Sequence, residues 1–121
     1  MKALSRRTWT CVLECDKKLP EAEQTVHTVK HPSKELAARI GDQLGPDFFS
    51  PYARFFGALG LELLRECYLG FGQMRDEETG EIVACPEKVG DMLGLLPGGA
   101  RAEVAMKIWD KQFIGIADRK N

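Results

Sequence analysis

Apolar and polar residues alternate in two short stretches near the start of the chain, and the period then becomes helical. Thr8-Trp9-Thr10-Cys11-Val12-Leu13 is rich in β-branched and aromatic residues, with Trp9, Cys11 and Leu13 on one side, the two-residue period of a half-buried strand. Thr25-Val26-His27-Thr28-Val29-Lys30 repeats that character beyond a polar loop over 16–21, so the two are expected to pair antiparallel. Pro32-Ser33 then opens a helix with Ser33 as its N-cap. Leu36, Ala37, Ile40 and Leu44 form its inner stripe, and Gly45-Pro46 stops it.

Ser50-Pro51 repeats the start signal, and the pattern predicts a long helix over 51–69. Its stripe runs through Tyr52, Phe56, Leu59, Leu63 and Cys67, widened by Phe55, Leu61, Leu64 and Tyr68. Gly57 and Gly60 each cost such a helix about 1 kcal/mol against Ala, and close backbone approach would account for them. After Gly70-Phe71-Gly72 the pattern predicts a hairpin, 72–75 against 81–85, around the polar turn Arg75-Asp76-Glu77-Glu78-Thr79-Gly80-Glu81. A short helix over 87–96 and a final one over 100–113 follow, the latter with Ala105, Ile108 and Trp109 inward. The tail 117–121 is expected to be loose. The sum is an α+β fold: a small antiparallel element, about four helices, and one compact domain over 1–121.

Composition narrows the class. At 13.5 kDa, with 44% hydrophobic and 29% charged residues and a mean hydropathy of -0.26, the chain reads as a soluble globular protein. Such a length can bury about two-thirds of its extended surface. A net charge of -1 offers no global attraction to nucleic acid or to an anionic membrane. The basic start, Met1 to Arg7, is interrupted by Thr8-Trp9-Thr10 and then Glu14 before any leader-like apolar core, so an intracellular protein is expected. The segment 61–90 is acidic, with seven Asp and Glu against three Lys and Arg.

The sharpest chemical constellation is Cys11-x3-Cys15 followed by His27-x3-His31, near the spacing of a two-Cys, two-His zinc finger. Against it, Val12-Leu13-Glu14 reads as continuing strand where a finger needs a tight knuckle, and Pro20 crowds the segment that would become its helix. The default for all four cysteines, including Cys67 and Cys85, is a small buried apolar residue. Gly94-Leu95-Leu96-Pro97-Gly98-Gly99 reads as a helix stop and restart, since it lacks the Lys-Ser/Thr ending of a phosphate loop. The turn 76–81 lacks the alternating oxygens of a calcium loop. With His27 and His31 the only histidines and neither beside a Ser or Cys motif, no catalytic nucleophile and base are apparent, and no enzyme is expected. No metal or cofactor is assigned.

What remains is surplus aromatic surface. Phe48, Phe49, Phe55 and Phe56 are four of the six phenylalanines. Core packing explains most of them, and a groove for a partner helix is the alternative. The expected protein-binding residues are Phe55, Phe56, Leu59 and Leu63, with Phe48 and Phe49 at the rim.

Several pieces in order along the chain resemble the tail assembly chaperone-like proteins of tailed phages. They are Thr8-Trp9-Thr10 into Val12-Leu13-Glu14, Leu19 to Val26, Leu61-Glu62-Leu63-Leu64-Arg65, Leu69 to Asp76, Leu93 to Pro97, Ala102-Glu103-Val104-Ala105 and Arg119-Lys120-Asn121. The resemblance implies a non-enzymatic protein of the bacterial host cytoplasm that shields the apolar, helical tape-measure protein before tail tube subunits assemble around it. Its partners would be the tape-measure protein, the tube protein or both, with self-association allowed and no role for nucleic acid, membrane or cofactor. Two alternatives stand beside it: a structural virion subunit of head, neck or tail, and a zinc-stabilised nucleic-acid-binding or regulatory module using Cys11, Cys15, His27 and His31.

Overall fold

Strand β1 (Trp9–Cys11) pairs antiparallel with β2 (Val26–Val29), placing Trp9 opposite Val29 and Cys11 opposite His27. Residues opposite one another share a sheet face, so these four side chains lie on the same side. Val29 and His27 are buried there, while Thr10 and Thr28 take the other face. The computed structural model describes residues 8–112. A third strand, β3 (Tyr68–Gly72), pairs antiparallel with the other edge of β2, giving the order β1-β2-β3 with a register shift between Thr28 and Val29.

The capped helix forms as its signals indicate. In α1 (Lys34–Leu44) the Ser33 hydroxyl accepts from the Leu36 N–H at 3.2 Å, and the same side chain meets the Glu66 carboxylate. Leu36, Ile40 and Leu44 are buried, and Gly45 closes the helix at φ 53°, where a side chain would be strained.

The long helix expected over 51–69 is not one helix. A 3-10 turn (Tyr52–Phe56) comes first, Gly57 is extended, and α2 (Ala58–Cys67) starts afresh. Its last expected turn is instead the start of β3, whose backbone passes through Gly70 at φ 150°. The break changes which rings face inward. Phe55 is buried, whereas Tyr52 and Phe56, placed by an unbroken period on the inner stripe, are exposed.

The hairpin reduces to one bridge, Arg75 with Ile82, flanked by the Val83 N–H donating to the Met74 carbonyl (2.7 Å) and the Asp76 N–H to that of Glu81 (2.8 Å). Helix α3 (Val89–Gly94) and helix α4 (Gly98–Lys111) sit either side of the Leu95-Leu96-Pro97 junction, the expected stop and restart. The expectations for Phe113 and for the tail 117–121 lie outside the described residues.

The result is a single compact α+β domain. Its core centres on α2 and α4: Leu63, Leu64, Val104, Ala105 and Ile108 are fully buried and join Ile40 and Leu44 of α1. Trp109 anchors one end. Its indole N–H donates to the Phe48 carbonyl at 3.0 Å, and its ring meets those of Phe48 and Phe55 edge-on.

Candidate binding surfaces

The six residues expected to bind a partner divide between two environments. Phe55, Leu59 and Leu63 belong to the core, at 2%, 7% and 0% exposure, so they line no open groove. The phase change at Gly57 is the physical reason, because it turns Phe55 toward Trp109 and the inner face of α2 toward α4. Phe48 is half-buried over Gly41 and Trp109. Phe49 and Phe56 remain at the surface, 74% and 52% exposed, and Tyr52 joins them at 44%. The rings of Tyr52 and Phe56 pack perpendicular with centroids 5.2 Å apart, and those of Phe48 and Phe49 meet at 5.0 Å.

This aromatic connector is tied to the scaffold. The Arg54 guanidinium donates to the Asp47 carboxylate and to the Gln43 carbonyl, both at 3.3 Å, which fastens the connector to the end of α1. Phe55 and Trp109 hold it from beneath. Large apolar side chains fixed on a rigid support lose little further rotamer freedom on binding, which favours their use as anchors.

The candidate zinc ligands do not converge. Cys11 faces His27 across the sheet, but the Nδ1 atom of His27 shares a 2.7 Å hydrogen bond with the Tyr68 hydroxyl, and the ring is 1% exposed. His31 instead packs on Trp9, ring centroids 4.6 Å apart, and Cys15 is exposed on the turn after β1. Among the described residues no three His, Cys, Asp or Glu side chains gather as a metal-ligating group. In this structure Cys11, Cys15, His27 and His31 are thus not gathered into the site that a finger would need. The default for the cysteines holds for Cys67 alone. It is fully buried, and desolvation pushes its thiol up to about 12, whereas Cys15 and Cys85 are exposed and Cys11 is half-buried.

A second feature has no counterpart in the local sequence pattern. A cleft of about 330 Å³ opens where the turn after β1, the 74–83 hairpin and the α3–α4 junction meet, and His27 lines it. Burial holds the His27 imidazole below its ordinary value, an effect the Asp16 carboxylate partly offsets. Strand parity was the available clue to His27: if Val29 points inward, so does the residue two before it.

Comparison with known protein families, with curated proteins and with solved structures finds no match to this chain. Among the described residues no helix is long and apolar enough to cross a membrane.

Proposed function

We propose that this chain is a non-enzymatic protein-binding module that holds an apolar helical segment of another polypeptide. Its pattern likeness to tail assembly chaperones suggests a phage tape-measure protein as the client and the tail tube as the later occupant. The observation that carries this reading is the aromatic connector: Tyr52 and Phe56, with Phe49 beside them in the chain, are large apolar residues exposed on one short, braced stretch, 49–56. Exposed rings on such a support are the kind of surface a partner helix covers with its own apolar stripe. The site differs from the groove expected at first, since Phe55, Leu59 and Leu63 serve the fold and the outer rings serve the partner.

Co-expression with an aggregation-prone tape-measure fragment tests the reading. The client stays in the soluble fraction with the wild-type protein and returns to the pellet when Tyr52 and Phe56 are both changed to Asp. A client equally insoluble with and without the wild-type protein contradicts it. Retention of the chain in purified mature phage particles would instead assign it as a structural subunit.

A further inference from the structure

The cleft beside His27 is built from two kinds of surface. Its walls are apolar, with Leu13 from the turn after β1, Met74 and Val83 from the hairpin and Leu96 from the α3–α4 junction. Its rim is acidic. Asp16, Asp76 and Glu77 all line it, and Arg75 is the one Lys or Arg among the lining side chains. The Arg75 guanidinium donates to the Gly80 carbonyl at 3.0 Å and keeps its charge, so the lining sets three carboxylates against one guanidinium.

The walls are fixed by hydrogen bonds that bind no ligand. Arg101 donates to the carbonyls of Leu93 and Leu96, both at 3.2 Å, and so pins the α3–α4 junction. Asp16 accepts from the Thr25 N–H at 2.9 Å, and Asp76 accepts from the N–H groups of Glu78 and Thr79 at 2.9 and 3.0 Å. These contacts orient the two carboxylates without neutralising them. The cleft is therefore preformed, and its volume is at the small end of ligand pockets, suited to an apolar side chain rather than a large cofactor.

We propose that this cleft is a second docking site, for a polypeptide segment that presents a large apolar side chain between Lys or Arg residues. The apolar side chain fills the space between Leu13, Met74, Val83 and Leu96. The flanking cations lie against Asp16 of the turn after β1 and against Asp76 and Glu77 of the hairpin. Complementary charge of this kind selects the partner and its orientation, while burial of the anchor supplies most of the affinity. The site is separate from the aromatic connector and does not depend on the function proposed for it.

Fluorescence polarisation with a labelled synthetic peptide tests this directly, using two leucines flanked on each side by two arginines and a control with glutamates in place of the arginines. The arginine peptide is expected to bind saturably and the glutamate peptide not to bind. Glu77→Lys should weaken binding about fivefold, Ala100→Phe should abolish it by filling the cleft, and Phe56→Asp should leave it unchanged. Val83→Trp fills the same space from the hairpin and serves if Ala100→Phe does not fold. The proposal is overturned if the arginine peptide does not bind, if both peptides bind equally, if the folded cleft-filling variant binds as wild type, or if Phe56→Asp removes binding.

Discussion

The carbonyl oxygen of Phe55 occupies the space where a side chain at Gly60 would begin. A Cβ there would stand 1.9 Å from that oxygen and 2.8 Å from the carbonyl carbon. Both obstacles are backbone, so no rotamer change relieves the clash. This contact folds the 52–56 turn back onto α2 and fixes Phe55 inside with Phe56 outside. Gly60→Ala should therefore cost about 3 kcal/mol in urea unfolding. Gly57→Ala should cost about 1 kcal/mol or less, since a Cβ at that position meets the Arg54 carbonyl at an ordinary 3.7 Å.

The buried His27 makes stability depend on pH. Its folded-state pKa lies below the ordinary value, so the unfolded chain takes up the proton first as pH falls through about 6.5. Stability is full above that pH and declines below it, by up to about 1.4 kcal/mol per pH unit, until the folded-state value is passed. His31, shifted the same way by burial and then by Lys111, acts in the same direction. Urea midpoints between pH 7.5 and 5 should fall for the wild type and fall less for His27→Gln. An equal slope in both proteins would remove His27 from this role.

Tyr68 matters through that same pair. Burial raises its phenol well above the ordinary value, so it stays a neutral partner for His27 at neutral pH. Tyr68→Phe keeps the packing but leaves a buried imidazole nitrogen without its partner, a loss of about 1–3 kcal/mol. Thermal unfolding at pH 8 measures this cost with the histidines neutral.

Thiol labelling should resolve the four cysteines into classes. Cys85 is exposed and should react first with a disulfide reagent. Cys15 should follow more slowly, because desolvation, then the adjacent Asp16, raises its thiol. Cys11 should lag further, being half-buried with its thiol raised chiefly by burial, and Cys67 should react only on unfolding. Rapid labelling of Cys67 in the native protein would contradict the packing of α2.

How much of this was legible in the sequence depended on how local each cause is. The β1–β2 pair and α1 could be read directly, because strand alternation, the Ser33 cap and the Gly45 stop all act within a few residues. The break at Gly57 could not. An apolar run containing two glycines fits one costly helix as well as two elements, and only the Phe55 carbonyl over Gly60 decides between them. That ambiguity carried into the candidate site, where a helical period grouped Phe56 with Leu59 and Leu63 and the real chain turns it outward. Strand β3 was hidden for a related reason: Tyr68-Leu69-Gly70-Phe71-Gly72 has no alternation, and it becomes a strand because β2 has an edge to fill. The cleft draws on three distant segments and leaves no mark in any one of them.

The most direct test of the binding role is a calorimetric titration of the folded protein with a synthetic apolar helical peptide drawn from a tail tape-measure protein. Saturable binding with a negative heat-capacity change is expected. Phe56→Asp should weaken it about tenfold while leaving the thermal midpoint unchanged. Wild-type affinity in a folded variant with Phe49, Tyr52 and Phe56 all changed to Asp would contradict the role of the aromatic connector.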